Sequence, residues 1–210
     1  MTTPNDSLDF YPTSDSLAFD MVFSLREVKS GFTTYPKPIL EPSAGDGALA
    51  RQVHALAFNV HHDHKTGEVD HYDKEKARSA ELDCIELSSD FRAVLKKDGF
   101  RVVHDNFLTF RPTTKYAAIV MNPPFSAGAA HLLKALDVMQ DGGKIRCLLN
   151  AETLRNPCTN ERKELAAKLE ELHATVKYIP DAFKNARRAA RVEVAPVSYT
   201  HLTLPTTSRV

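Results

Sequence analysis

Four residues near the middle of the chain, Asn122-Pro123-Pro124-Phe125, hold groups that can steer an amine toward an electrophile. An exocyclic amine, as on adenine N6, is a poor nucleophile because its lone pair is delocalised into the ring. The side-chain carbonyl of Asn122 and the backbone carbonyl of Pro123 can both accept its hydrogens. Pro123 has no N–H, so its backbone offers only an acceptor. Two acceptors hold the nitrogen as it becomes positive and so favour attack. Phe125 can stack on the flat face of a base. The competing reading is a plain proline-rich turn after a strand, which uses none of these groups.

The elements that must position this quartet are legible around it. Ala117-Ala118-Ile119-Val120-Met121 is uncharged and reads as a buried strand. Two consecutive prolines then end its ladder, since neither donates a backbone hydrogen bond. Asn122 and Phe125 therefore belong to a stiff loop at the carboxyl end of a strand, the edge where open α/β sheets bind ligands.

A second motif lies upstream, in Glu41-Pro42-Ser43-Ala44-Gly45-Asp46-Gly47. A short apolar strand, from Lys37 to Leu40, runs into small residues and two glycines, and a helix follows from about Ala48. The glycines let the backbone turn tightly and approach a ligand closely. The Gly-x-Gly-x-x-Gly spacing and the Walker lysine are missing, which disfavours a dinucleotide or a triphosphate. Glu41 suits a ligand with a positive group. Further on, Leu82 to Leu87 reads as a second strand with Glu86 near its end, placed to accept from ribose hydroxyls. Phe100 to His104 reads as a third. After it, Asp105 can accept from an adenine amino group and Phe107 can pack on the adenine face, with Asn106 between them.

Other segments alternate between helix and strand. Leu17 to Val28 is apolar-periodic and reads as a helix behind Phe10-Tyr11-Pro12-Thr13. Helices are expected at residues 48–58, 91–97, 131–140 and 161–173. Strands are expected at 144–150, at 174–180 and from about 191. Strands that alternate with helices imply an α/β, Rossmann-like, mostly parallel sheet with helices on both faces.

Composition bounds the rest. The 210 residues are 42% hydrophobic and 26% charged, enough for one domain with a sizeable core. A formal net charge of zero neither supports nor excludes nucleic acid, because a local basic face can coexist with neutrality. Cys84, Cys147 and Cys158 have no metal-like spacing, and the first two sit in apolar runs as expected of a reducing compartment. No run approaches a membrane span and no signal-peptide core precedes Asp9, so a cytoplasmic location is expected. Residues 59–80 are polar and carry His61, His62, His64 and His71. Without cysteines or a helical His pair they read as a solvated insertion, and no metal is expected. Arg187, Arg188 and Arg191 are a candidate phosphate contact or a solvated face.

Taken in order, these motifs resemble class I S-adenosylmethionine-dependent methyltransferases, and more narrowly the N6-adenine DNA methyltransferases. Asn150-Ala151-Glu152-Thr153-Leu154 is similar to members from phages and mobile elements of bacteria, a setting that includes restriction-modification. The resemblance covers about residues 10–195. It implies that Tyr11, Pro12 and Thr13 contact the methionine end of the cofactor and that residues 41–47 form its signature loop. It implies further that Glu86 binds the ribose, that Asp105, Asn106 and Phe107 bind the adenine, and that residues 122–125 are catalytic. DNA is then the substrate, with the target base flipped from the stack. RNA-base and protein-glutamine methyltransferases share the motif, although glutamine enzymes usually end it in Tyr. Cytosine-N4 enzymes usually begin it with Ser or Asp. An idle cofactor-binding module is the reading from another class.

The resemblance also implies a seventh strand, antiparallel, between the fifth and sixth. It begins at about Val192, but Pro196-Val197-Ser198-Tyr199-Thr200-His201-Leu202 resembles the translation of a transposase mosaic-end adapter used in sequencing libraries. The methyltransferase domain is therefore expected to span residues 1–195, with 196–210 artefactual and the seventh strand cut short. Such a cut would leave an unfinished sheet edge.

Overall fold

The computed structural model describes residues 11–29, 32–58, 81–179 and 194–200, with the side chains of 29, 32, 58 and 194–200 excepted. The insertion at residues 59–80 and the cluster Arg187, Arg188 and Arg191 lie outside the described residues.

Seven strands form one sheet. They are β3 (Ile39–Glu41), β4 (Leu82–Ile85), β5 (Arg101–His104), β6 (Tyr116–Met121), β7 (Met139–Asn150), β8 (Thr175–Val176) and β9 (Val194–Thr200), in the spatial order β5-β4-β3-β6-β7-β9-β8. Neighbours from β5 to β7 are parallel, while β9 runs antiparallel to both β7 and β8. Order reverses at β3, where β4 leaves to one side and β6 to the other, and ligand sites form at such a switch point.

Period-two alternation gives each face of the sheet its own core. Leu40, Ile119, Met121, Ile145, Cys147 and Leu149 point to one face, under α4 (Gly128–Val138) and α6 (Asn160–Glu171). Ile39, Ala118, Val120 and Leu148 point to the other, under α1 (Asp15–Phe23), α2 (Ala48–Val53) and α3 (Ser89–Lys97). Ser88 starts α3 by accepting from the Phe91 N–H (3.4 Å), and Thr159 starts α6 by accepting from the Arg162 N–H (3.2 Å). A short α5 (Glu152–Arg155) occupies the stretch between β7 and α6.

The helix expected over 131–140 ends at Val138, with residues 139–140 in β7, and the strand expected over 174–180 shrinks to Thr175–Val176; two further expectations need correction. The helix expected to reach Val28 ends at Phe23, and β1 (Glu27–Lys29) pairs antiparallel with β2 (Phe32–Thr34). Val28, Thr33 and Thr34 are β-branched and favour strand, which the apolar periodicity upstream masks. The seventh strand, moreover, does not stop at residue 195 but runs to Thr200. All seven residues of β9 are in register with β7, from Lys144↔Thr200 to Asn150↔Val194. Pro196 to Thr200 thus belong to the sheet whatever their origin. The exposed ladder of β7 takes a partner through backbone groups, and Val, Tyr and Thr are good strand formers. Among the described residues no helix is long and apolar enough to cross a membrane.

Beneath the sheet, Asp83 on β4 ties three strands. Its Oδ2 accepts from the Tyr116 hydroxyl (2.7 Å), and its Oδ1 forms an ion pair with Arg101 Nη2 (2.5 Å). Burial, then the hydrogen bond to Asp83, raises the Tyr116 pKa above the ordinary phenol value. Asp83→Ala is expected to cost about 2 kcal/mol, because it strands a buried hydroxyl. Urea unfolding checks this, with Tyr116→Phe as the milder comparison.

Candidate active site

The site grows from the carboxyl ends of β3, β4, β5 and β6. Leaving β3, the chain turns through Gly45 (φ 52°) and Gly47 (φ 86°), both left-handed. Glu86, just past β4, holds this turn: its Oε2 accepts from the Gly45 N–H (2.7 Å) and its Oε1 from the Ser88 N–H (2.7 Å). Each oxygen keeps lone-pair capacity for a further donor. Gly47 faces inward, where a Cβ would sit 3.0 Å from Leu95 Cδ2 and 3.2 Å from Arg51 Nη1. Gly47→Ala is therefore expected to lower stability by about 1–2 kcal/mol, from the left-handed φ and the clash together. A lowered thermal midpoint in calorimetry would show it.

Past β5, Asn106 Oδ1 accepts from the Leu108 N–H (3.0 Å) and caps a 3-10 turn that sets Phe107 into the core at 2% exposure. His104 Nδ1 accepts from the Asn106 N–H (3.1 Å). The same nitrogen lies 3.2 Å from Asp105 Oδ1.

At the end of β6 the Asn122 amide turns toward the N-terminal segment. Its Nδ2 donates to the Tyr11 carbonyl (2.8 Å) and to Thr13 Oγ1 (3.1 Å). The Tyr11 carbonyl can only accept, which assigns the nitrogen to that side. Oδ1 is left buried and without a partner. Phe125 stacks on the Tyr11 ring, with centroids 4.6 Å apart and planes 20° from parallel.

These ends surround a cavity of about 560 Å³, within the usual range of small-molecule sites. Of the residues singled out in the sequence, Tyr11, Pro12, Thr13, Glu41, Pro42, Ser43, Ala44, Gly45, Asp46, Glu86, Asp105, Asn106, Phe107, Asn122, Pro123 and Pro124 all line it. Gly47 and Phe125 do not: the first packs inward, and the second lies against Tyr11. Sequence reasoning missed Leu87, Ser88, Phe91, Leu108, Ser126 and His131, which also line the cavity. Ser88 and Phe91 follow Glu86 into a helix start, and that was the available signal. His131 had none. Its Nδ1–H donates to the Ala127 carbonyl (2.9 Å), and burial pushes its pKa below the ordinary value, which favours the neutral ring.

Two more buried oxygens without partners, Glu41 Oε2 and Ser43 Oγ, belong to lining residues of the same cavity. Glu41 is 1% exposed; burial, then the nearby Asp46 and Glu86 carboxylates, pushes its pKa well above the usual carboxylate range. Unsatisfied buried polar groups at a cavity wall call for hydrogen-bond partners from a ligand. Among the described residues no group of His, Cys, Asp and Glu could hold a metal ion.

Strand order, the antiparallel β9 and a cavity at the switch point define the Rossmann-like fold of class I methyltransferases. No family model and no curated protein matches the sequence, but solved structures match the fold. A type I restriction-modification methyltransferase subunit from Streptococcus thermophilus superposes with a TM-score of 0.66 at 17% identity, over 93% of this chain and 46% of that one. The M protein of the type I restriction enzyme EcoKI gives 0.63 at 15% identity, over 95% and 46%. The 23S rRNA methyltransferase ErmE gives 0.58 at 16% identity, over 94% and 71%. The chain thus spans about half the length of the two restriction subunits.

Proposed function

We propose that the protein transfers a methyl group from S-adenosylmethionine to the exocyclic N6 amine of adenine in DNA. The observation that carries this reading is the buried, unpartnered Oδ1 of Asn122, beside a proline that offers only a carbonyl. An amine with two hydrogens meets both acceptors. Together they draw positive charge onto the nitrogen as it attacks, in a site where water does not compete. No general base is required before attack, since the proton can leave afterwards. Phe125 and the loop around it receive the flipped base.

S-adenosylmethionine fits the cavity's donor set and, when bound, supplies a methyl group already activated on a sulfonium. Glu41 and Ser43 offer acceptors to its amino group, with Tyr11, Pro12 and Thr13 at the same methionine end. Residues 42–46 bring backbone close to it. Glu86 takes the ribose hydroxyls, Asp105 and Asn106 the edge of the adenine, and Phe107 one side of the ring. This chain's work is to bind, to align and to exclude water.

The restriction-subunit neighbours favour DNA, and the 23S rRNA methyltransferase neighbour makes RNA the rival substrate. A cytoplasmic setting fits three free thiols, Cys84, Cys147 and Cys158. The test is to incubate the protein with S-adenosylmethionine and either unmethylated genomic DNA or total RNA, then analyse the nucleosides by mass spectrometry. N6-methyladenine in the DNA arm is the expected result. Methylated base in the RNA arm alone would transfer the reading to RNA.

A further inference from the structure

The expected duty of Tyr11-Pro12-Thr13 is toward the cofactor, yet the same tripeptide grips the catalytic loop. It does so at two points, across more than a hundred residues of sequence. The polar grip is the Asn122 amide, whose two hydrogens go to the Tyr11 carbonyl (2.8 Å) and Thr13 Oγ1 (3.1 Å). The apolar grip is the stack of Tyr11 on Phe125, with centroids 4.6 Å apart. Thr13 is 9% exposed, so water does not readily replace its hydroxyl.

An asparagine amide can present either end to a substrate. Turned over, Asn122 would set its oxygen against the Tyr11 carbonyl, acceptor against acceptor. The Tyr11 carbonyl therefore selects the orientation. The Thr13 hydroxyl, free to donate or accept, completes it by taking the second amide hydrogen. Only in this orientation is Oδ1 the end left for an incoming amine, and it is the end that has no partner. Pro12, between the two gripping residues, adds no N–H of its own.

We propose that Tyr11-Pro12-Thr13 is a positioning clamp on the catalytic loop, in which the Thr13 hydroxyl holds the Asn122 amide with its oxygen toward the substrate. The inference rests on the adenine-N6 reading above and adds a role for Thr13 beyond cofactor contact. Thr13 does not touch the reacting atoms; it acts through Asn122.

Thr13→Val keeps the shape of the side chain and removes the acceptor, which leaves one amide hydrogen buried and unpaired. The variant is expected to lose about tenfold in kcat for methyl transfer, the scale of one lost hydrogen bond. Because Thr13 also lines the cofactor cavity, kcat is measured at saturating S-adenosylmethionine, and affinity for S-adenosylhomocysteine is read separately by calorimetry. Thr13→Ser restores the acceptor and is expected to restore kcat. A second readout does not depend on turnover: the Asn122 side-chain N–H₂ signals in the NMR spectrum are expected to be protected from solvent exchange in the wild type and in Thr13→Ser, and to lose protection in Thr13→Val.

Equal kcat in wild type and Thr13→Val would overturn the clamp. So would unchanged protection of the amide, or a fall in cofactor affinity large enough to account for the lost rate. A wild-type protein with protected Asn122 signals and no transfer to adenine would instead overturn the underlying reading, and with it the catalytic meaning of the clamp.

Discussion

Asn122→Ala is expected to lower kcat for methyl transfer by about 10² to 10³, the cost of removing a preorganised group that faces developing charge. The side chain contributes Oδ1 to the reacting amine and Nδ2 to Tyr11 and Thr13, so the substitution removes an acceptor and loosens the loop together. Asn122→Asp separates these contributions. It retains an oxygen toward the cavity but sets a second oxygen where the amide nitrogen now meets the Tyr11 carbonyl at 2.8 Å. Two acceptors then oppose each other, and the loop is expected to shift. Single-turnover kinetics with circular dichroism on both variants checks this. Full activity in Asn122→Ala, with a folded protein, would remove Asn122 from the mechanism.

The second large effect is expected at Glu41. Burial is the main cause of its raised pKa, the Asp46 and Glu86 carboxylates add to it, and Arg51 and the Ala50 N–H oppose it. A raised carboxyl pKa means that the folded chain holds a proton that the unfolded chain has released. The stability from this group is therefore full below the ordinary value of 4.5. It is lost as pH rises through the folded value. Glu41→Gln, neutral at every pH, is expected to flatten that fall in thermal midpoint. Cofactor binding should run the other way. A positive amino group at Glu41 favours the carboxylate, so affinity for S-adenosylhomocysteine is expected to rise with pH in the wild type. In Glu41→Gln it should be weaker by about tenfold or more near neutrality, the scale of a lost charge-assisted hydrogen bond. Calorimetric titrations at several pH values measure both trends. Parallel pH profiles in the two proteins would mean that Glu41 does not face the cofactor's amino group.

Glu41 and Asn122 show how far the linear chain could be read. Both stand at the end of a short apolar run that meets a breaker, Pro42 in one case and Pro123-Pro124 in the other. A strand, its end and the chemistry just past that end are encoded by contiguous residues, so their placement at a sheet edge followed from local rules. Glu86 and Asp105 follow the same logic. The hairpin of β1 and β2 did not, because an apolar helical period ran into residues whose strand preference shows only once they pair. The seventh strand illustrates the same limit. Its residues looked foreign to the domain, yet the open ladder of β7 pairs with them through backbone groups that do not read side-chain identity.

What the sequence by itself determined is the inventory: which strands exist, where each ends, which acceptors, acids and aromatic rings wait there, and hence a methyltransferase-like reading. What only the tertiary structure decided is their mutual address. The order β5-β4-β3-β6 brings four separate chain ends around one cavity. It adds His131 to that cavity without any local signal. It also closes Tyr11 and Thr13 onto Asn122 and Phe125 across a separation of 109 residues or more for the polar contacts. The physical reason is range. Strand ends and turns arise from the preferences of neighbouring residues. Which side chain meets which depends on pairing between distant strands and on the two cores that hold them, and no local pattern records that pairing.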